Sequence, residues 1–284
     1  MLLVTGATGY VGRHFMQSLP DEVRCDCLAP SRQEFDLTDA ASMQKYFKTH
    51  SIDRVLHLAA VVENKDPAAL LSINIAGLYN LLKECRTSGV RYFAFASSNT
   101  VYGSTEKPPF PEIQHCFPDA ENWYSISKYY GELMLADMLP ASAYAIVRIG
   151  DIYGPNQKTG ALLKAVVNNI LEDQPQRLYG QGDRTRDYIY IDDVVNGLRF
   201  VLKNSLTGVY NLATGIGTNV REILGIAEQL SACKEPTIQV AVEKEDHSKI
   251  VLDTEKLKKS GWTAAIPFKE GLRRIVEEAR NTKL

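Results

Sequence analysis

The sequence lacks a long hydrophobic run. It opens with MLLVTGATG, in which an apolar stretch of four residues is soon followed by glycine. A stretch this short is neither a signal-peptide core nor a membrane span. We therefore expect a mature chain that begins at Met1 and has no membrane partner.

Charge of one sign and paired cysteines are also missing. The 284 residues carry 32 basic and 34 acidic side chains, a net charge of −2, which gives no general attraction for nucleic acid. The five cysteines are odd in number and form no C-x-x-C; Cys25 and Cys27 alternate on an expected strand, facing one side. This predicts reduced thiols in a cytoplasmic protein. The five histidines have no metal-ligand spacing, so we expect no metal.

Short apolar segments alternate with helical ones along the first half of the chain. The expected strands are LLVTGA, VRCDCLA, RVLHLAA, RYFAFASS and YAIVRIG, and the expected helices cover 11–19, 39–49, 67–88 and 123–139. This order predicts an α/β fold with a doubly wound parallel sheet, the Rossmann architecture, and a smaller mixed C-terminal lobe. Gly154-Pro155 marks the boundary. We expect a dinucleotide-binding domain over 1–155, with returning segments near 187–213, and a mainly substrate-binding lobe over 156–284.

A glycine turn follows the first strand. TGATGYVG places Gly6, Gly9 and Gly12 between that strand and a helix. Glycine lets the backbone approach a pyrophosphate, which then lies at the positive end of the helix. The segment predicts dinucleotide binding.

The motifs along the chain resemble those of the extended short-chain dehydrogenase/reductase family, which includes nucleotide-sugar epimerases, dehydratases and ketoreductases. The resemblance covers nearly the whole chain and rests on TGATGYVG, FDLTD, HLAA, NIAGLYNLL, ASSNTVYG, YSISK, GDRTRDYIYIDDVV and SGWTAAIPFKEGL. It implies a homodimer and cofactor contacts from Gly6, Gly9, Tyr10, Val11, Gly12, Ser31, Arg32, Asp36, Leu37, Leu58, Ala59, Ala60, Asn74, Tyr124 and Lys128.

Tyr124 and Lys128 lie four residues apart, so one helical face presents both to the same ligand. A nearby ammonium lowers the pKa of a tyrosine by stabilising the phenolate, which makes Tyr124 a usable acid/base. The resemblance implies that Ser98 orients the reacting oxygen and that Lys128 also holds the nicotinamide ribose. Ser98 is followed by Asn99 and Thr100 where the family's dehydratases carry Asp-Glu, which argues against water elimination.

The predicted function is hydride transfer at a sugar carbon by a nucleotide-sugar epimerase or 4-ketoreductase; the motifs do not separate the two. The resemblance implies substrate contacts from Asn99, Thr100, Asp151 and Arg186. Asp151 replaces the family's asparagine near the substrate phosphates, and Glu243 falls where a second arginine is usual. A carboxylate near a diphosphate is repulsive. A free sugar or sugar acid is therefore an alternative substrate, and a non-catalytic dinucleotide sensor is the alternative of another class.

The cofactor is expected to be NAD(P), with NADP favoured over NAD. NAD sites place an acidic residue at the end of the second strand, whereas an arginine there accommodates a 2′-phosphate. Cys27 or Leu28 occupies the acidic position in this chain, and Ser31-Arg32 follows. Asp26 is one residue away, so a shift in the alignment by one position reverses the preference.

Overall fold

The computed structural model describes residues 1–62, 66–104, 107–157 and 160–282. Its strands, in chain order, are β1 (Leu2–Thr5), β2 (Cys27–Leu28), β3 (Arg54–His57), β4 (Tyr92–Ser98), β5 (Tyr144–Ile149), β6 (Asp151–Tyr153), β7 (Arg177–Tyr179), β8 (Thr185–Arg186), β9 (Tyr188–Tyr190), β10 (Gly208–Leu212), β11 (Thr218–Asn219), β12 (Ile238–Val240) and β13 (Lys249–Ile250).

The helices alternate with these strands. They are α1 (Tyr10–Ser18), α2 (Asp21–Arg24), α3 (Ala40–Thr49), α4 (Pro67–Ala69), α5 (Leu78–Thr87), α6 (Trp123–Met138), α7 (Ala161–Leu171), α8 (Ile191–Lys203), α9 (Val220–Leu230), α10 (Glu255–Lys259) and α11 (Phe268–Thr282). A π-helical segment, Leu70–Gly77, joins α4 to α5, and 3₁₀ turns cover Asn99–Tyr102 and Ala141–Ala143. In the described ranges, no helix is both long and apolar enough to cross a bilayer.

The central sheet has six parallel strands in the order β10-β5-β4-β3-β1-β2. Strands β4 and β5 are buried along their whole length. Alternate side chains of β4 face opposite sides: Phe93 and Phe95 join the core under α3, α5 and α6, and Ala94 and Ala96 join the core under α1 and α8. The expected α/β fold with a doubly wound parallel sheet is confirmed.

The second strand departs from expectation. VRCDCLA was expected to be extended throughout, with Cys25 and Cys27 on one face, but its first part is helix α2 and Cys25 is the exposed residue that ends it. Asp21 at the first turn and Arg24 at the last turn suit the helix dipole and pair with each other. That local charge pattern favours a helical turn over extended chain, so the expectation for the two cysteines was wrong.

The second half of the chain forms small sheets beside the main one: β11-β8-β13, β12-β7 and β6-β9. Strand β10 pairs in parallel with β5 and so extends the main sheet, and α8 packs on α1. The division into two domains remains a prediction. What matters for the site is that the carboxyl ends of β1, β3, β4 and β5 meet at one edge of the sheet, where open α/β sheets bind ligands.

Candidate active site

A cleft of about 620 Å³ lies at this carboxyl edge. It brings together side chains from the first glycine turn, the end of β3, the end of β4, helix α6 and the start of β6. The predicted site residues that line it are Gly6, Gly9, Tyr10, Val11, Gly12, Leu58, Ala60, Ser98, Asn99, Thr100, Tyr124, Lys128 and Asp151.

The glycine turn is packed too tightly for side chains. Gly6 has a φ of +71°, and a Cβ there would lie 2.5 Å from the backbone nitrogen of Ala59. A Cβ on Gly12 would lie 2.1 Å from the carbonyl oxygen of Gly6. Helix α1 begins after Gly9 with neither a side-chain cap nor an acidic residue in its first turn. Its first amides therefore remain available for an anion, which fits the pyrophosphate of a dinucleotide.

Tyr124 lies in the first turn of α6, where Asn122 caps the helix by accepting from the amide of Ser125. Its hydroxyl is hydrogen-bonded to Ser98, but burial dominates and raises the pKa of Tyr124 to about 12. The expected lowering by Lys128 is therefore not seen. Loss of water around the phenolate sets the direction of the shift, and the nitrogen of Lys128 lies 5.8 Å from the centre of the Tyr124 ring.

Lys128 is 4% exposed. Its Nζ donates to the carbonyl oxygen of Ala96 over 2.7 Å and lies 4.9 Å from the centre of the Phe95 ring. Burial lowers the pKa of Lys128 to about 8, and the carboxylate of Glu132 opposes that shift. Nearby His57 is also buried, and desolvation with the charge of Lys128 lowers its pKa to about 3, so it is a neutral packing residue.

Asn74 holds two parts of the site together from beneath. Its side chain accepts from the amide of Val61 and donates to the carbonyl oxygen of Val61, each over 2.8 Å, and it donates to Ser127 on α6 over 3.0 Å. It belongs to the π-helical segment, a backbone form that often occurs at functional sites. Asn74 therefore orients the loop after β3 against the Tyr-Lys helix.

The predicted contacts for the adenosine end of the cofactor do not line the cleft. Ser31 donates to Glu34 through its amide and hydroxyl, and Arg32 pairs with Asp36 over 3.2 Å while its side chain is 73% exposed. Hydrogen bonds from Thr38 lower the pKa of Asp36. Leu37 packs in the core, and Ala59 lies behind Gly6. The Leu37 side chain covers the core under α5, and a cofactor contact from this residue stays a prediction.

The arginine of the cleft is not the one that the sequence indicated. Arg184 lines the cleft. Arg186 donates from Nη1 to the carbonyl oxygens of Thr185 and Ser248 and from Nη2 to the Ser248 hydroxyl, so its donors hold β8 against β13. A direct contact between Arg186 and substrate is therefore not what the geometry favours. Arg184 and Arg186 are two residues apart in one motif. The motif does not indicate which of the two forms hydrogen bonds beside β13.

Sequence reasoning also missed a buried ion pair next to Ser98 and Lys128. Glu132 lies one helical turn beyond Lys128, and its carboxylate binds Arg148 of β5 over 2.7 Å. Ser97, next to Ser98, donates to the same carboxylate over 2.5 Å. Both charged side chains are about 5% exposed. The pair fixes α6 to β4 and β5, and thus the position of Tyr124 relative to Ser98.

Among the described residues, no three His, Cys, Asp or Glu side chains cluster as metal ligands. The parallel sheet, the open glycine turn and the Ser-Tyr-Lys centre define a dinucleotide-dependent enzyme of the short-chain dehydrogenase/reductase class. The chain belongs to the NAD dependent epimerase/dehydratase family, whose model matches residues 2–213. The predicted family and enzyme class are confirmed.

Relatives match over nearly the whole chain. A putative UDP-glucose 4-epimerase of Methanocaldococcus jannaschii is 28% identical over 99% of both chains. The UDP-glucose 4-epimerase of Bos taurus is 28% identical over 98% of this chain and 94% of its own. The crystal structure of the Thermotoga maritima UDP-glucose 4-epimerase with UDP-glucose is 27% identical, with a TM-score of 0.83 over 100% of this chain and 99% of that chain.

Proposed function

We propose that this protein is an NAD(P)-dependent 4-epimerase of nucleotide-linked hexoses. The observation that carries the proposal is the convergence of Ser98, Tyr124 and Lys128 with the glycine turn on one cleft. The full-length relatives named above support a UDP-sugar as the substrate. Epimerase is favoured over ketoreductase because these relatives are named as 4-epimerases.

Tyr124, Ser98 and Lys128 have separate roles in this reaction. A nicotinamide dinucleotide held at the glycine turn would supply the group that takes up and returns a hydride. Tyr124 as phenolate takes the proton of the sugar hydroxyl when that hydride leaves, and gives it back to the carbonyl oxygen when the hydride returns. Ser98 hydrogen-bonds the reacting oxygen. Lys128, whose pKa burial lowers to about 8, supplies the positive charge that stabilises the phenolate and holds the ribose.

The experiment is interconversion of UDP-glucose and UDP-galactose by the purified protein, followed by chromatography, with NAD and NADP supplied separately. Deuterium at C4 of UDP-glucose should remain in the product, because the hydride returns to the same carbon. Formation of a reduced sugar with net consumption of NADPH would identify a ketoreductase instead. No change in either sugar would reject both activities on these substrates.

A second candidate, an enzyme of free sugars or sugar acids, is favoured by Asp151. Its side chain lines the cleft where a diphosphate would be repelled, and burial raises the pKa of this carboxyl against the opposing charges of Arg186 and Arg184. Glu243, the other acidic replacement, is exposed and adds little. Calorimetry with UDP separates the candidates: no binding at millimolar concentration would favour the free sugar.

For the cofactor we propose NADP over NAD. Support comes from Arg32, exposed beyond β2, and from the absence of an acidic residue at the end of that strand. The Thermus thermophilus UDP-glucose 4-epimerase, 27% identical, was solved with NAD, so both cofactors must be titrated. Arg32→Ala should weaken NADP binding and leave NAD binding unchanged. Tighter binding of NAD than NADP by the parent protein would overturn this preference.

We also propose a homodimer in the cytoplasm. Exposed apolar side chains lie on the outer faces of the helical stretch 70–87 and of α6, where Leu71, Tyr79, Tyr130 and Leu133 are each 47% to 54% exposed. Covering such a face by a second copy would remove apolar area from water. The five free thiols suit a reducing compartment. Sedimentation of the parent and of Tyr130→Glu tests the dimer.

A further inference from the structure

Asp151 does more in this cleft than face the substrate. It begins β6, where its amide donates to the carbonyl oxygen of Asp187 over 2.8 Å and fixes its backbone. Its Oδ2 accepts from Nδ2 of Asn99 over 2.9 Å. Asn99 follows Ser98 directly and is 2% exposed. A carboxylate thus contacts the residue beside the catalytic serine.

The chemistry of the two side chains sets the direction of this hydrogen bond. An ionised carboxylate only accepts, whereas an amide has one end that donates and one that accepts. Asn99 must therefore turn its NH₂ group toward Asp151. Its carbonyl oxygen then faces Ser98, whose Oγ lies 3.2 Å away.

Burial also determines the direction of the hydrogen bond between Ser98 and Asn99. The carbonyl oxygen of Asn99 has little access to water, and a buried acceptor without a donor is unfavourable. The Ser98 hydroxyl satisfies it by donating. The oxygen of Ser98 meanwhile accepts from the amide of Thr100 over 3.3 Å and lies 3.0 Å from the Thr100 hydroxyl, which can also donate to it. The hydrogen of Ser98 is thus directed to Asn99, and the same hydroxyl is bonded to Tyr124, whose pKa that bond lowers.

We propose that Asp151 is a positioning residue that sets the direction of the hydrogen-bond chain Ser98 to Asn99 to Asp151, each group donating to the next. This chain gives the Ser98 hydroxyl beside Tyr124 a single orientation. An asparagine at 151 would remove the constraint, because either end of the Asn99 amide then suits its neighbour. Ser98 would then populate two hydroxyl orientations.

The test exchanges the two side chains. Asp151→Asn frees the amide and should lower kcat by about threefold to tenfold, in the range of one hydrogen bond. Asn99→Asp brings two carboxylates together and should lower it more than tenfold. The double variant Asn99→Asp with Asp151→Asn restores one acceptor-only group facing Ser98 and one amide donor. Its kcat should return to within about threefold of the parent. If Asp151 served packing alone, the double variant would not recover the activity of the parent.

These rates rest on the proposed function, since they are measured with UDP-glucose and added NAD or NADP. A readout that does not need turnover is the side-chain amide signal of Asn99 in nitrogen-15 spectra of the cofactor-free protein, identified by its loss in Asn99→Asp. In the parent this NH₂ should exchange slowly with water, and in Asp151→Asn it should shift and exchange faster. Rescue and the amide change together support the proposal.

Two results would overturn the proposal: an unchanged amide signal in Asp151→Asn, or a double variant no more active than the poorer single variant. A parent that converts no UDP-sugar defeats the proposed function only. The amide signal still decides the role of Asp151 in that case.

Discussion

Replacing the buried lysine of the active site should make the cofactor-free protein more stable. Lys128 is 4% exposed, and burial lowers its pKa from 10.5 to about 8. A difference of about 2.5 pKa units corresponds to about 3 kcal/mol of unfavourable interaction for the charged form. Lys128→Met removes that charge but also the bond from the ammonium to the Ala96 carbonyl, which contributes about 1.5–3 kcal/mol. We therefore expect a net gain of about 0.5–2 kcal/mol at pH 7.

The pH dependence has a definite sign. Between pH 8 and about 10.5 the unfolded lysine keeps its proton while the folded one has lost it, so the unfolded state binds more protons. The stability contributed by this site in the parent therefore rises with pH over that window. The advantage of Lys128→Met should shrink from pH 7 to pH 10.

Urea unfolding of the cofactor-free parent and variant at pH 7 and pH 10 measures both effects. Lys83→Met, on the exposed face of α5, is the matched control and should leave stability almost unchanged at either pH. The reasoning is refuted if Lys128→Met is less stable than the parent at pH 7. An advantage of the same size at both pH values would also refute it.

Three further changes test other parts of the site. Tyr124→Phe removes the transferable proton and should lower turnover by roughly 10²–10⁴-fold with cofactor affinity unchanged by calorimetry; turnover within a factor of three of the parent would reject the assignment. Arg148→Met leaves the buried carboxylate of Glu132 without its partner and should cost about 3–5 kcal/mol in urea unfolding, a cost that Glu132→Gln in the same chain should partly restore. Asn74→Ala loses bonds to the loop after β3 and to α6, so it should both destabilise the fold by about 1–3 kcal/mol and weaken cofactor binding; unchanged affinity would show that the loop keeps its place without it.

The fold was predictable where one local pattern decided the structure. Buried strands such as β4 and β5 read as continuous apolar runs, and the glycine turn marks the start of α1. The structure of the region 23–29 was not predictable from the sequence, because a short charged turn there competed with an apolar stretch. The π-helical segment 70–77 had no signal in the sequence, although it places Asn74 against Ser127.

Within the site, the meeting of Ser98, Tyr124 and Lys128 in one cleft was predictable because the spacing of these residues is local. Tyr124 and Lys128 share a helical face, and Ser98 ends a strand. Arg184 was missed because the donors of Arg186 are taken by Ser248, 62 residues further along the chain. Such a contact depends on how distant strands pair, and a motif does not contain that information.

The direction of the Tyr124 pKa shift required the structure for a related reason. Motif spacing gives the neighbouring charge, but the cost of burying a phenolate depends on every segment that covers it. Helix α6 carries a phenol, an ammonium and a carboxylate in successive turns: Tyr124, Lys128 and Glu132. Glu132 raises the pKa of Lys128 against the effect of burial, while Arg148 takes up the negative charge of Glu132. The pKa of the lysine thus stays at about 8, because the carboxylate partly offsets the effect of burial. Arg148 holds that carboxylate in place, so the electrostatic environment of Lys128 depends on a strand outside the Tyr-Lys motif.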